Sequence, residues 1–224
     1  MSTTDVTKDR SMSPGSARVV EEMVVMLGEM DIHEVRANEL ARRAGVAIPT
    51  VYYNFHSLTD IIAEATVLML NRYLAPFGEH LADMSRAVRS DDAIAFRDAA
   101  TSYVQYSWSM PANEGIHRLA PLIAYFRRVA PEDVRLRAVQ ARELADFIEV
   151  LRAAQTRGWI SAEDDVTAFA VVHCTCVVGQ AVFWHPAFGP LTTIEFSQVI
   201  GRLRYQTALR DNLRTMPLNE DDAP

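Results

Sequence analysis

The segment ELARRAGVAIPTVYYNF, residues 39–55, combines two short apolar stripes with a glycine turn between them. Gly45 can adopt the left-handed backbone conformation that a sharp turn requires. Pro49 is preset for the first turn of a helix. The residues at helical spacing around the turn are Leu40, Ala41, Ala44, Val46, Val51 and Phe55. The segment therefore predicts a helix, a tight turn and a second helix that share an apolar core.

The same spacing leaves an outward face on the second helix, made of Ile48, Pro49, Tyr52 and Tyr53. Two aromatic rings on an exposed helix face are expected when that face meets a partner. The major groove of DNA accepts a helix, and tyrosine hydroxyls can bond phosphates. Packing of both tyrosines against neighbouring helices is the alternative.

The rest of the chain also reads as helical, because apolar residues fall at three- and four-residue steps without strand alternation. Four stripes show this spacing: Val20, Met23, Val24 and Leu27; Leu58, Ile61, Ile62, Ala65 and Leu68; Leu144, Phe147, Ile148 and Leu151; and Phe196, Val199, Ile200 and Leu203. The predicted fold is all-α, with three short helices followed by about six longer ones.

Capping residues predict where the helices begin and end. Ser57 with Asp60 opens a helix toward Tyr73, and Asp91 opens one that stops at Pro111. Further along, Pro131 suits the first turn of a helix that Gly158 ends. The last two predicted helices are 166–184, capped by Ser161, and 192–213, opened by Thr192 and Glu195.

The bulk composition of the 224 residues, 49% hydrophobic, predicts a folded protein. We expect a disordered arm at 1–12, a helix-turn-helix domain at 13–60, a larger helical domain at 61–214 and a flexible tail at 215–224. The N-terminal residues lack the apolar core of a signal peptide. The two cysteines, Cys174 and Cys176, are too close in sequence to form a disulfide framework, which favours the cytoplasm.

The segment 166–184 carries no formal charge and approaches the length of a membrane span. His173, Thr175 and Gln180 interrupt it, and no cluster of Lys or Arg flanks it. A helix buried in an oligomer interface is therefore favoured, and no membrane partner is predicted.

The motif RANELARRAGVAIPTVYYNFHSLTDII, in which the helix-turn-helix occupies 36–55, resembles that of the TetR family of transcriptional regulators. The matching pieces are LA at 40–41, AGV at 44–46, TVYYNF at 50–55 and the helix opened by HSLTDII. The remainder is similar to the family in length and helix layout only. The resemblance implies a homodimer that places two reading helices in successive major grooves of a pseudo-palindromic operator.

The resemblance also implies which side chains meet DNA: Arg36, Arg43, Ala47, Ile48, Pro49, Thr50, Tyr52, Tyr53, Asn54 and His56. Several positions depart from the family pattern. Arg36 replaces a capping Ser or Thr, Ala47 replaces another, and Leu58 stands where a phosphate-binding lysine is common. Asp31 occupies a position usually held by glycine.

The charge balance lowers the expected affinity for DNA. The net charge is -7, and the stretch up to Asp60 has six Lys or Arg against nine Asp or Glu. Few contacts between cations and phosphates predict modest affinity with a shallow dependence on salt. A relative that has lost DNA binding is the alternative.

By resemblance, the larger domain holds an effector pocket and the dimer interface. Candidate pocket residues are Tyr103, Tyr106, Trp108, Ile116, Leu119, Phe126, Phe147 and His173. Such a lining favours a flat or apolar small molecule, whose identity the sequence leaves open. Candidate interface residues are Val171, Val178, Val182, Phe196, Val199 and Leu203.

No cofactor or metal site is predicted. On a helix, Cys174 and Cys176 point about 200° apart and cannot chelate one ion together. The sequence contains no phosphate-binding loop, G-x-S-x-G or H-E-x-x-H motif. The chain is therefore predicted not to be an enzyme, with an all-α enzyme of unrecognised site as a lesser alternative. The function predicted is ligand-gated repression of transcription.

Overall fold

The computed structural model describes residues 12–107 and 110–183, which form eight α-helices without a strand in those ranges. The chain divides into two compact units, Met1–Met69 and Leu70–Pro224. The predicted helix 192–213 and the tail lie outside the described residues, as does the arm except for Met12. The all-α prediction is confirmed for the part of the chain that is described.

The first unit is built from α1 (Pro14–Glu29), α2 (Ala37–Ala44), α3 (Ile48–Asn54) and the start of α4. Ser13 caps α1, its Oγ accepting a hydrogen bond from the Ser16 amide at 3.2 Å. The helices close around fully buried side chains: Val19, Val20, Met23, Met26, Val35, Leu40, Val51 and Ile61. The core of this unit therefore contains the apolar residues that the glycine-turn segment predicted, with Val46 only half-buried.

The fourth helix, α4 (Leu58–Ser90), is longer than predicted. Its start is as expected, because the Ser57 Oγ accepts from the Asp60 amide at 3.1 Å. The predicted end near Tyr73 is wrong, since the helix continues through Pro76. A proline inside a helix removes one hydrogen bond. The turns that follow bury Phe77, Leu81 and Met84, and this burial offsets the lost bond.

The second unit continues with α5 (Ala93–Ser107), α6 (Met110–Val129), α7 (Val134–Thr156) and α8 (Val166–Phe183). The last helix, α8, packs on α6 and α7. Buried side chains from the later part of α4 and from α5, α7 and α8 form one core cluster, which includes Phe77, Phe96, Tyr103, Phe147 and Val177. Within the described ranges, no helix is long and apolar enough to cross a membrane.

Several predicted caps of the second unit are wrong by a few residues. Asp92, not Asp91, caps α5, its Oδ1 accepting from the Ala95 amide at 2.9 Å. Asp91 instead ends α4 in a left-handed conformation with φ of 56°. Pro111 lies in the first turn of α6 and does not end the preceding helix there. When two acidic residues adjoin, only the turn geometry decides which of them caps the helix.

The same kind of shift occurs at α7 and α8. Asp133 caps α7 by accepting from the Arg135 amide at 2.9 Å, so Pro131 precedes the helix. Asp165 caps α8, accepting from the Thr167 and Ala168 amides at 3.0 and 2.9 Å, in place of Ser161. The prediction that Gly158 ends α7 is confirmed, with φ of 75° at that glycine.

Candidate nucleic-acid interface and interior aromatic cluster

The turn between α2 and α3 is set by Gly45, which has φ of 66°. Its amide donates to the Arg42 carbonyl at 3.3 Å, and the Val46 amide donates to the Ala41 carbonyl at 3.0 Å. These bonds satisfy the last carbonyls of α2 and close the helix in the Schellman manner. The turn therefore fixes the direction in which α3 leaves α2.

The two faces of α3 differ sharply in exposure. Val51 is 0% exposed and Phe55 is 5% exposed, so one face is core. Tyr53 is 88% exposed, Tyr52 is 45% exposed and Ile48 is 40% exposed on the other face. The alternative that both tyrosines pack on neighbouring helices does not hold within the described residues of this unit. An outward face of this composition is suited to contact another molecule.

Most of the predicted DNA-contacting residues are exposed in the structure. The exposed members are Arg36, Ala47, Ile48, Pro49, Thr50, Tyr52, Tyr53 and His56. Arg43 is half-buried, and the side chain of Asn54 lies outside the description. Neither Arg36 nor Ala47 caps its helix with a side-chain hydrogen bond.

Arg36 is tied to the loop before α2. Its Nη1 donates to the carbonyls of His33 and Val35 at 2.6 and 3.0 Å. The side chain therefore satisfies carbonyls of the preceding turn and does not act as a cap for α2. Part of its hydrogen-bonding capacity is already used inside the unit.

Arg43 bridges α2 to two carboxylates of α1. Its Nε donates to Glu22 Oε1 at 2.5 Å and its Nη1 donates to Glu29 Oε2 at 2.7 Å. These contacts hold the pKa of Glu29 below its usual value, mainly through the hydrogen bond from Arg43. A contact between Arg43 and a phosphate would have to compete with both carboxylates.

Arg42 forms a separate, exposed pair one turn away on its own helix. It contacts both oxygens of Glu39, with Nε at 2.8 Å from Oε2. The hydrogen bond from Arg42 lowers the pKa of Glu39. All three arginines of the 36–43 stretch therefore have acceptors inside the first unit, which the count of charges alone did not show.

In the second unit, three of the predicted pocket residues form a ring cluster. The Tyr103 ring centroid lies 4.8 Å from that of Phe147 and 5.2 Å from that of His173. Phe147 and His173 are 5.4 Å apart in an edge arrangement. All three side chains are at most 3% exposed. We call Tyr103, Phe147 and His173 the aromatic cluster.

The remaining predicted pocket residues lie around this cluster or on α6. Tyr106 contacts Phe77 at 5.0 Å between ring centroids, and Phe77 contacts Tyr103 at 5.7 Å. Ile116, Leu119 and Phe126 are buried on α6. Trp108 falls outside the described residues.

Tyr73 is an interior residue that the sequence pattern did not single out. Its ring lies 5.4 Å from Phe77, and the α6 backbone approaches it so closely that a Cβ added at Gly115 would lie 2.6 Å from the ring. Burial raises the pKa of Tyr73, with smaller contributions from Tyr106 and Cys174. Its hydroxyl is buried without a hydrogen-bond partner among the described residues. Burying such a group costs free energy.

Glu143 is a second residue of this kind. It lies four positions before Phe147 on α7, and therefore on the same face of the helix. Its Oε1 is buried with no hydrogen-bond partner in the described ranges. Burial, together with Asp146, raises the pKa of Glu143 to about 7, against a smaller opposing effect of Arg142. A carboxylate interrupting the stripe of Val139, Phe147 and Val150 was the available sequence signal.

One face of α8 is apolar and exposed. Val171, Val172 and Val178 are 45%, 58% and 47% exposed, and Ala168 and Thr175 continue the same stripe. Such a stripe is typical of a helix that packs against a partner. The side chain of Val182, and all of Phe196, Val199 and Leu203, fall outside the described residues.

Metal chemistry has no support in the described ranges, where no group of three or more His, Cys, Asp or Glu side chains could hold an ion. Cys174 and Cys176 are half-buried and form no disulfide within the described residues.

No protein-family model matches the sequence, and no curated protein is significantly similar to it. Solved structures do resemble it. A Mesorhizobium loti protein assigned to the TetR family of transcriptional regulators aligns with a TM-score of 0.63 at 13% identity, covering 87% of this chain and 96% of that one.

Two named regulators are also similar in structure. NalD of Pseudomonas aeruginosa, the secondary repressor of the MexAB-OprM multidrug efflux pump, has a TM-score of 0.55 and 16% identity, covering 88% of this chain and 96% of its own. PfmR of Thermus thermophilus has a TM-score of 0.50 and 21% identity, covering 83% and 96%. The exposed α3 face, the glycine turn and these alignments together show that the chain has the fold of the TetR-family transcriptional regulators.

Proposed function

We propose that the chain is a TetR-family regulator of transcription, a homodimer that binds a pseudo-palindromic DNA operator and leaves it when a small apolar or aromatic effector binds. The fold alone is compatible with more than one function. The argument for DNA binding therefore comes from the residues of the candidate site.

The observation that carries the proposal is the contrast across α3. Val51 is fully buried while Tyr53 is 88% exposed two residues later. A side chain as large and apolar as tyrosine gains little from standing in water. It gains more from a groove in which its hydroxyl bonds a phosphate and its ring contacts a thymine methyl. The exposed Ile48 and Pro49 add apolar contacts with base edges.

Release by an effector requires that the two units be coupled. The helix α4 is common to both, since the division between them falls after Met69, inside Leu58–Ser90. An effector that favours another packing of the second unit changes the forces on this helix. The coupling free energy in such regulators is typically about 1–3 kcal/mol, which corresponds to roughly a 5- to 150-fold change in operator affinity.

The dimer is proposed from the exposed stripe of α8. Val171, Val172 and Val178 would each lose water on contact with a second copy. A closed two-fold interface of this kind presents the same stripe from both subunits.

Val178→Asp tests this interface, because a charge buried between two apolar helices is expensive. Its expected effect is a shift from dimer to monomer, measured as the mass in solution by light scattering. Ile94→Asp is the matched control: Ile94 is exposed at 58% on α5, and its replacement should leave the mass unchanged. A Val178→Asp protein with the wild-type mass would remove α8 from the interface.

A second candidate function is a small-molecule-binding protein of the same fold that no longer binds DNA. The favouring observation is that Arg36, Arg42 and Arg43 are all engaged inside the first unit. A protein with few available cations releases few counterions when it meets DNA.

Fluorescence anisotropy with DNA flanking the gene, at two salt concentrations, separates the two functions. The regulator is expected to bind that DNA more tightly than a scrambled sequence of the same length. Arg43 held by two carboxylates predicts a salt slope that is unchanged in Arg43→Ala, whereas a phosphate contact would lower the slope by about 1. If the protein bound promoter fragments from across the genome no more tightly than scrambled DNA, the small-molecule-binding function would be favoured.

A further inference from the structure

The buried polar atoms of the second unit that have no hydrogen-bond partner among the described residues include the Tyr73 hydroxyl and Glu143 Oε1. Native proteins satisfy nearly all such groups, so an orphaned one calls for an explanation. A ligand that supplies the missing partner is one such explanation. Apolar replacement of either residue would otherwise be the more stable choice.

Both groups lie beside the aromatic cluster. Glu143 is one helical turn from Phe147, whose ring contacts Tyr103 and His173. Tyr73 reaches the same cluster through Phe77, which contacts Tyr103 at 5.7 Å. The helices that carry them meet at this level, because Arg142 Nη2 donates to Asn71 Oδ1 at 3.2 Å.

Arg142 acts on the charge of Glu143, but its effect on the Glu143 pKa is smaller than those of burial and Asp146. Arg142 is exposed and directed to Asn71, and Asp146, one turn on, is acidic. Among titratable groups on the adjoining helices, His173 on α8 contacts Phe147, and Tyr73 on α4 and Cys174 on α8 pack against the core cluster that contains Phe147. A buried carboxylate without a cation is costly, and a ligand with a positive charge removes that cost.

We propose that the second unit binds an aromatic ammonium compound, with its nitrogen at the Glu143 carboxylate and the Tyr73 hydroxyl and its ring against the outside of the aromatic cluster. Aromatic faces attract cations through their quadrupole, so the cluster and the carboxylate favour the same ligand class. The inference rests on the proposed function for its biological sense, since this ligand would be the effector. It names the chemistry of that effector, which the proposed function leaves open.

Three naphthalene compounds of the same shape test the charge requirement: 2-naphthylmethylamine, 2-naphthalenemethanol and 2-naphthoate. Isothermal titration of the full chain at pH 8, where Glu143 is ionised, should show the amine binding about 10-fold or more tightly than the alcohol. The carboxylate compound should bind most weakly. Equal affinity for amine and alcohol, or no amine binding up to about 1 mM, would overturn the proposal.

Variants identify the residues responsible. Glu143→Gln keeps the shape of the side chain and should reduce the preference for the amine to about 2-fold or less. Glu149→Gln is the matched control, because Glu149 is an exposed carboxylate on the same helix that does not contribute to the pKa shift of Glu143, and it should keep the full preference. Tyr73→Phe should weaken amine binding about 3- to 10-fold while preserving the preference.

Structural roles for the same residues predict a different result. If Glu143 or Tyr73 supported the fold, Glu143→Gln and Tyr73→Phe would lower the melting temperature. The proposal expects neither to do so, since Tyr73→Phe removes an unsatisfied buried hydroxyl and Glu143→Gln removes the charge of a partly buried carboxylate. A loss of stability in both variants, with the amine preference intact, would contradict it.

The proposal and the regulator function fail separately. Operator binding is measured without any naphthalene compound and reports the regulator alone. If the protein preferred the amine but did not bind DNA, the ligand inference would stand and the repressor function would be wrong. If the protein bound the operator but did not prefer the amine, the ligand inference would be wrong and the regulator function would stand.

Discussion

The two units of the chain use tyrosine in opposite ways. In the first unit, Tyr52 and Tyr53 stand 45% and 88% exposed on α3, beside the fully buried Val51. In the second unit, Tyr103 is 3% exposed, and the Tyr73 hydroxyl is buried without a partner in the described ranges. The same side chain presents an outward surface in one unit and an inward one in the other. In the proposed function, the outward tyrosines of the first unit contact DNA and the second unit encloses a small effector.

Burial of Glu143 in the second unit lowers the free energy of unfolding by an amount that depends on pH. This is the largest expected effect on stability. Glu143 has a raised pKa of about 7 in the folded chain, against 4.5 as the ordinary value. The folded state therefore holds its proton longer than the unfolded state, and stability falls as pH rises from about 4.5 through 7. Above that range the penalty is constant and reaches at most about 3 kcal/mol.

Glu143→Gln removes the titration. The variant should match the wild type near pH 4 and be more stable at pH 8 by about 1–3 kcal/mol. Thermal unfolding across this pH range measures it, with Glu149→Gln as the exposed control on the same helix, whose curve should follow the wild type. If the difference in stability between the wild type and Glu143→Gln were the same at pH 4 and pH 8, Glu143 would not be the source of the pH dependence.

Substitutions on the buried and exposed faces of α3 should differ in their effect on stability, even between residues that are close in sequence. Val51→Ala removes two buried methyl groups and should cost about 2 kcal/mol of the free energy of unfolding. Tyr53→Ala, two residues on, should cost less than about 0.5 kcal/mol. Chemical denaturation of both variants measures the difference. A large loss in Tyr53→Ala would mean that the tyrosine packs in the fold.

The sequence predicted the first unit better than the second, for a physical reason. Leu40, Val51 and Phe55 could be placed in the core because the glycine turn and the helical spacing are local features. The outward position of Tyr53 followed from the same spacing.

The second unit depended on tertiary fit. Spacing placed Tyr103 and Phe147 inside but could not reveal that Glu143 Oε1 lacks a hydrogen-bond partner among the described residues, since such partners come from other helices. The continuation of α4 through Pro76 was missed for the same reason, because burial of Phe77 and Leu81 stabilises a helix that local preference would end. The engagement of Arg43 by Glu22, 21 residues away in sequence, could not be seen from charge counts.

The helix ends offer a smaller test of the same contrast between local and tertiary control. Gly45 and Asp91 both have left-handed backbones, with φ of 66° and 56°. Nothing lies within 4 Å of a Cβ added at Gly45, so Gly45→Ala should cost only the backbone penalty, about 1 kcal/mol.

Asp91 is held by an ion pair with Arg157, which stacks over Trp159 at 6.0 Å. Asp91→Gly relieves the backbone and loses the ion pair, so the net change should stay within about 0.5 kcal/mol. Gly28→Ala, at an open helical position, should instead stabilise by about 0.5–1 kcal/mol. If Asp91→Gly lowered the free energy of unfolding by much more than Gly45→Ala does, the ion pair would be the dominant contribution of Asp91 to stability.

The most direct test of the central claim, that the outward face of α3 binds DNA, is an anisotropy titration of Tyr52→Ala/Tyr53→Ala against the operator. Val25→Ala is the matched control, because Val25 is as exposed as Tyr52 but lies on α1. We predict that the double variant loses about 100-fold or more in operator affinity with an unchanged melting temperature and dimer mass, while Val25→Ala binds as the wild type does. Wild-type affinity in the folded double variant would contradict the claim and leave α3 without a role in DNA recognition.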